Sequence, residues 1–523
     1  MNHLTTAALL LHLALAGAIS ASEPAPMTLK STVPAVKAKP GISLTVYSSA
    51  DPAGFDAQQF IAQQRQGGNP GAAWQVPGFG VVKEVRAVPI EKGFHVLRFT
   101  DVAAFIDPTT VSFVDLTDPA TAVVEQNFEF DLVSPEKLLE RYTDRVISID
   151  RVIGDREERV TGTLLSARNG QLLLQTIEGL QMIPQQNARV IFSDLPGGLI
   201  TRPTLVWKLN GESAGEHLVR TTYQTAGLTW KSDYNLVLSD DERSADLAAW
   251  VTLLNLSGAA YQNANLKLVA GDVQRIVPQL LMRGMAAPRS AMAEAAGSEG
   301  FEEKSFFEYH LYTLPRATDV LANATQQITL FPTARGVPID KVLLFEGTSA
   351  YAGWGYAGEP YVDRGMGAVS NPKIDVILRL RNDEASRLGR PLPKGKVRVY
   401  KQDDADGTLE FVGEDLIDHT ARNEKVSIKV GQSFDVVGER TQTDFTIDTG
   451  RRVMTESFKV ELRNRKTVPQ KVLVREHLFR WAGWEITAKN TEFVKKDART
   501  IEFEVDVPAD GVRTVEYTVR YIW

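Results

Sequence analysis

The segment Thr221–Gln274 constrains this chain most. Its runs of strand-forming residues are punctuated by Gly227, by Asp240-Asp241 and by Gly258. Short runs of this composition between turn residues mark successive β-strands. Three strands in a row are therefore expected here, and an architecture made of sheets.

The pattern is not confined to that segment. Between Gly41 and Leu132 the runs GISLTVY, GFGVVKEVRAVPI, FHVLRF and VVEQNFEFDL are separated by Gly, Pro and Asp turns, which predicts an N-terminal β-domain over 41–133. One interruption of helical composition, Asp56–Gln66, precedes a Gly-Gly-Asn-Pro-Gly break and is expected to be a surface helix or an ordered loop. Ser134-Pro135-Glu136 then supplies an N-cap, a proline at the first helical position and an acidic first turn, so a short helix should begin there. Behind it, VISIDRVI, RVTGTLLSA, QLLLQTI, LQMIP and ARVIF surround an Asn169-Gly170 hairpin turn, and 134–200 is expected to form a small SH3-like barrel. From 201 to 523 the pattern predicts β-sandwich structure. Two inserts break it: 283–304, rich in Ala, Met, Gly and Glu and expected to be disordered or a loose helix, and 348–370, rich in Gly and aromatics. The fold class expected is all-β, mainly antiparallel sandwich domains with few short helices.

At 523 residues and 43% hydrophobic composition the chain can bury several cores. Its net charge of -7 repels nucleic acid and anionic lipid, so neither is an expected partner. Residues 1–22 carry no Lys, Arg, Asp or Glu, and Leu9–Ile19 is an apolar run that ends in small residues, as a secretory signal peptide does. A run of that length falls short of the ~20 residues that span a bilayer. Removal of 1–22 in a bacterial envelope would leave a linker, 23–40, and a periplasmic or secreted protein with no transmembrane segment. The absence of cysteine excludes disulfides and thiolate chemistry, and an oxidising compartment tolerates it.

Chemical motifs are sparse. His95, His217, His310, His419 and His477 stand far apart with no zinc-site spacing, so no metal or cofactor is expected. Glu414, Asp415, Asp418 and His419 form one candidate polar site, because carboxylates near an imidazole can orient it for proton transfer; turn capping explains the same residues. Asp403-Asp404-Ala405-Asp406-Gly407 lacks acids at both ends of an EF-hand register, and an acidic hairpin turn accounts for it better. The candidate binding surface is the second insert, where Tyr351, Trp354, Tyr356 and Tyr361 stand among glycines; the competing reading is a flap folded back on the sandwich. Trp230, Tyr234, Trp250, Phe434, Phe458 and Trp484 are expected to fill the core. Val515, Tyr517, Val519, Tyr521 and Trp523 share one face of a final strand, expected to be buried.

The segments AGEHLVRTTYQTAGLTWKSDYNLVL and NLSGAAYQNANLKLVAGDV, followed in order by FEYHLYTLP, LGRPLPKGKVRVYKQDDADG, FVGEDLIDHTARNEKVSIKVGQSFDV, VREHLFRWAGWEI and VEYTVRYIW, resemble the bacterial domain-of-unknown-function family found in mucoidy-inhibitor-type envelope proteins. The resemblance covers about 203–523 and implies an envelope role without implying catalytic residues. The function expected is a cell-envelope binding or interaction module, its partner an envelope protein or glycan. The alternatives are a hydrolase of envelope glycans and an outer-membrane-associated assembly factor.

Overall fold

The computed structural model describes residues 39–48, 55–67, 72–153, 156–186, 188–271, 273, 301–306, 309–348, 351, 358–368 and 370–523. Residues 1–22, expected from sequence to be a signal peptide, nearly all of the expected linker and most of the first insert lie outside these residues. In the first third of the chain the elements are β1 (Gly41–Tyr47), α1 (Ala57–Gly67), β2 (Phe79–Ile90), β3 (Gly93–Thr100), β4 (Ile106–Asp115), β5 (Ala122–Glu129), α2 (Pro135–Arg141), β6 (Val146–Ile153), β7 (Arg156–Arg168), β8 (Gln171–Thr176), β9 (Gly179–Pro184) and β10 (Ala188–Ile191). Then come β11 (Thr204–Gly211), β12 (Gly215–Thr225), β13 (Leu228–Leu238), β14 (Ser244–Asn255), β15 (Tyr261–Ala270), β16 (Glu302–Phe306), β17 (Tyr309–Thr313), β18 (Thr318–Val320), β19 (Ala324–Pro338) and β20 (Asp340–Phe345). The last part holds β21 (Lys373–Arg381), β22 (Gly395–Gln402), β23 (Leu409–Ile417), β24 (Lys425–Asp448), β25 (Val453–Asn464), β26 (Gln470–His477), β27 (Trp484–Lys489), β28 (Phe493–Lys495), β29 (Thr500–Val507) and β30 (Val512–Ile522). The protein is all-β, in mostly antiparallel sheets.

Local chemistry sets the boundaries. Asp56 Oδ1 accepts from the Gln58 and Gln59 amides, both at 2.8 Å, and starts α1; Ser134 Oγ accepts from the Lys137 amide and starts α2, with Pro135 at its first position. Asn169 (φ 52°) and Gly170 (φ 71°) give the β7–β8 hairpin the left-handed pair that its tight turn needs. Gly227 turns β12 into β13 at φ 83°, where a Cβ would lie 2.7 Å from the Leu256 carbonyl.

Five sheets result. The largest around the first core runs β16-β17-β15-β1-β2-β12-β4, with β18 pairing onto β15. In it β1 lies parallel to β15, Ser43 opposite Asn265, and antiparallel to β2. The sheets β3-β11-β5 and β19-β14-β13-β22-β23 close on the same core. Sheet pairing thus runs across position 201, since β11, β12 and β15 pair with strands from the first hundred and thirty residues. Trp207 is fully buried here, its ring 5.6 Å from Phe99 and 4.9 Å from Phe113. A small sheet, β10-β6-β7-β8-β9, covers its own core of Ile149, Leu164, Leu172 and Leu174 with Leu139 and Tyr142. The nine-stranded sheet β27-β30-β25-β24-β21-β20-β26-β29-β28 holds a further core of Phe345, Met454, Phe458, Val474, Phe503 and Tyr517. Strand β24 serves two cores: Val426 and Ile428 enter the first, Val436 the last.

Some expectations fail. Phe434 is 95% exposed. The register of β21 on β24 jumps from Asp375–Gln432 to Lys373–Val437, so Ser433 to Val436 bulge from the ladder and the alternation that placed Phe434 inside is reset. The first insert also ends earlier than its composition suggests: Glu302–Lys304 belong to β16, paired with β17, and Phe301 is buried. Trp250 is half-buried, out of phase with Leu247, Ala249 and Val251, which are the β14 residues that enter the core, and Trp484 and Trp523 are only partly buried against the last core. Trp230, Tyr234 and Phe458 are buried as expected, as are Val515, Tyr517, Val519 and Tyr521.

Glu242, in the β13–β14 turn, joins elements distant in sequence by pairing with Lys341 and, at 2.7 Å, with Lys401. Burial would raise its carboxyl, but the two lysines outweigh it and hold the pKa at about 2. A depressed carboxylate stabilises the fold above its ordinary value, and the contribution fades as pH falls from about 4.5 towards 2. Glu242→Gln should therefore lower stability at neutral pH and flatten the acid limb of a thermal-melting curve in that window. An unchanged acid limb would refute this assignment.

Candidate functional site

The Gly- and aromatic-rich insert is held down where it is described. The Tyr351 ring stacks on Phe479, centroids 4.2 Å apart and 11° from parallel, and its hydroxyl accepts from the Gly367 amide at 3.0 Å. Gly367 sits at φ 74°, and a Cβ there would come within 3.0 Å of the Phe479 ring. The Tyr361 amide donates to the Arg480 carbonyl at 3.1 Å. Trp354 and Tyr356 lie outside the described residues.

Below this loop the alternation of three strands delivers charge to the interior. In β25, Met454, Glu456, Phe458, Val460 and Leu462 share the inward phase; in β26, Val472, Val474 and Glu476 do. Arg440 of β24 faces Glu476, Nε to Oε2 at 2.8 Å with side chains 2% and 0% exposed. Arg480, just beyond β26, faces Glu456, Nε to Oε2 at 2.7 Å, 0% and 2% exposed. That N–H is not aimed at the carboxylate, so the second attraction is Coulombic. The remaining donors go to main-chain carbonyls of the loop. Arg480 Nη1 donates to Tyr361 and Asp363 and Nη2 to Met366, each at 2.8 Å, while Arg440 Nη1 donates to Gly367 at 2.6 Å.

Other groups complete the set. The Tyr517 hydroxyl donates to Glu476 at 2.7 Å, Gln442 donates to Glu456 at 2.8 Å, and the Arg440 guanidinium lies 3.7 Å from the Phe458 ring centroid. Burial opposes the charge on Arg440, yet the facing Glu476 and Tyr517 outweigh it and raise the guanidinium's hold on its proton. Burial likewise pushes the Tyr517 and Tyr521 hydroxyls up, so both stay neutral. The arrangement fixes a loop backbone through buried cations that are themselves neutralised.

At the loop's edge, His477 Nε2 meets Glu346 Oε1 at 2.5 Å, and Nδ1 lies 3.5 Å from the Thr500 hydroxyl. The hydrogen bond from His477 outweighs burial and holds the Glu346 carboxyl below its usual range. Arg475 pairs with Glu502 at 2.7 Å and Lys496 with Glu502 at 3.5 Å, so the row reads as a cross-strand charge ladder.

The residues of the other candidate site are committed to separate partners. Glu414 pairs with Lys396 and Arg398, while Asp415, its neighbour in β23 and hence on the opposite face, accepts from the Leu416 and Lys429 amides. His419 Nδ1 faces the Lys394 amide at 3.2 Å, and the Asp418 carbonyl accepts from Thr420 Oγ1. Asp403 and Asp406 accept amides within a turn that Gly407 completes at φ 74°. Among the described residues no group of three His, Asp or Glu side chains is disposed to hold a metal ion.

Sequence reasoning missed Arg440, Glu456, Glu476 and Arg480. The signal for the two glutamates was their phase, since each continues an i, i+2 apolar series where a surface acid would fall one residue away.

The features above define an all-β protein with a loop pinned on buried arginines, and among the described residues no helix is long and apolar enough to cross a membrane. Compared with family models and with curated proteins, the chain matches none.

Proposed function

We propose that the chain is an exported envelope protein that binds another protein through the surface of the loop between Tyr351 and Ala368. The observation that carries this reading is the use of two fully buried arginines to hold main-chain carbonyls of one loop. Burying a cation costs several kcal/mol even after relaxation, and apolar side chains would close a sandwich core more cheaply. What the arginines add is a fixed backbone, the support that a recognition loop needs. The loop presents exposed Glu359, Val362, Asp363 and Arg364 around half-buried Tyr361. Mixed charge beside an aromatic suits a protein surface better than a sugar face, for which open ring faces are wanted, and the Tyr351 face is taken by Phe479. The leader-like composition of 1–22 and the resemblance of 203–523 to mucoidy-inhibitor-type proteins support the envelope as the setting.

Crosslinking in intact envelopes tests this. Val362→Asp with Arg364→Glu alters exposed positions and should shift stability by less than about 0.5 kcal/mol. Recovery of crosslinked protein partners should fall sharply while the melting temperature holds. Equal recovery from the variant and the parent would overturn the reading.

A further inference from the structure

We propose that the full chain self-associates through β9, two copies joining their five-stranded sheets edge to edge about a two-fold axis. β9 is the last strand of the small sheet and pairs with β8 alone. Strand edges offer unpaired amides and carbonyls, and monomers guard them with charge. The other terminal strands follow that rule: β3, β4, β5, β10, β16, β19, β23, β27 and β28 each contain an ionisable residue. Among the described terminal strands β9, GLQMIP, is the exception. Its outer face carries Leu180 and Met182, 64% and 66% exposed, with Ile177 fully exposed at the hairpin tip and Leu165 nearby on β7.

The absence of charge selects the occupant. A strand that pairs antiparallel with its own copy brings the residues about the axis close to their own counterparts, so an edge carrying one sign of charge there would meet like charge, and an uncharged edge meets none. The β8–β9 loop has two residues, Ile177 and Glu178, with Thr176 opposite Gly179. That hairpin makes Thr176 and Gly179 a hydrogen-bonded pair, and alternation then turns the main-chain groups of Gln181 towards β8 and those of Leu180 and Met182 outwards. Antiparallel pairing centred on Gln181 sets Leu180 against Met182 of the second copy on the exposed face. It sets Gln181 against its own counterpart on the other face, and Glu178 against Pro184. Apolar meets apolar, amide meets amide, and the free main-chain groups are satisfied.

The test exploits the cysteine-free sequence. In Gln181→Cys the two thiols would stand across the axis with Cβ atoms about 4.5–5.5 Å apart, near enough for a disulfide after small adjustment. Mild oxidation should convert the full chain to a covalent dimer, faster than Lys495→Cys on the edge of β28. In the Leu180→Lys, Met182→Lys double variant lysines oppose one another across the axis. Sedimentation of the parent chain should show a dimer that this variant loses with its circular dichroism and melting temperature unchanged. A parent chain that sediments as a monomer at every concentration overturns the proposal. So does a dimer that survives the double variant, or Gln181→Cys crosslinking no faster than Lys495→Cys.

Discussion

Arg440→Met should destabilise the core under the nine-stranded sheet by about 3–5 kcal/mol, because it leaves Glu476 as a buried carboxylate without its counter-ion. Glu476 is 0% exposed and would keep only the Tyr517 hydroxyl. Pairing Arg440→Met with Glu476→Leu removes both charges together. Buried ion pairs replaced in this way are often neutral or stabilising, so the double variant should regain most of the loss. The Gly367 carbonyl loses its donor in both variants, so the loop should loosen even where stability returns. Urea unfolding followed through Trp481 and Trp484, which pack on this core, reads the first effect, and hydrogen exchange at the Gly367 amide reads the second. A single variant as stable as the parent would show that the pair does not hold this region.

Trp207→Ala should cost about 3–5 kcal/mol, the range for emptying a large aromatic site. The ring is fully buried between Phe99 and Phe113, and its Nε1 donates to Gln126 Oε1 at 2.8 Å. Truncation opens a cavity in β11, the strand that bridges β3 and β5, and removes the donor to Gln126 of β5. Trp207→Phe should retain part of the stability because it fills much of the space and loses the hydrogen bond. Trp74→Ala provides the contrast: that ring is 59% exposed and its removal should cost far less. Equal losses at Trp74 and Trp207 in denaturant titrations would contradict the packing described.

Elements whose signals are local were readable from the chain. Ser134-Pro135 capped α2, the helical composition after Asp56 marked α1, and Asn169-Gly170 turned a hairpin, since each depends on residues within a few positions. The face of Tyr517, Val519 and Tyr521 was likewise legible, because period two holds without interruption along β30. What failed depends on partners elsewhere. A bulge opposite β21 moved Phe434 outside, and Glu302–Lys304 became a strand because β17 offers an edge that composition cannot reveal. The buried arginines were hidden for the same reason. Each is neutralised by an acid that arrives from another strand, and further donors find carbonyls in a loop whose own residues do not say what anchors it. Of the aromatic candidates, Tyr351 and Tyr361 prove to be tied to that anchorage, Tyr351 through its ring and hydroxyl and Tyr361 through its main chain.

The place of β1 governs when the molecule can fold. Its buried residues Leu44 and Val46 are closed on one side by β2, a few dozen residues away, and on the other by β15, whose partners begin at Asn265. A chain that emerges amino end first therefore carries a half-built sheet with an open apolar edge until more than two hundred further residues have followed. Such long-range closure slows folding, and the waiting edge is a natural substrate for a holding chaperone. The same delay keeps the emerging chain threadable, so a polypeptide of this topology can pass lengthwise through a narrow conduit before the strand that seals it exists.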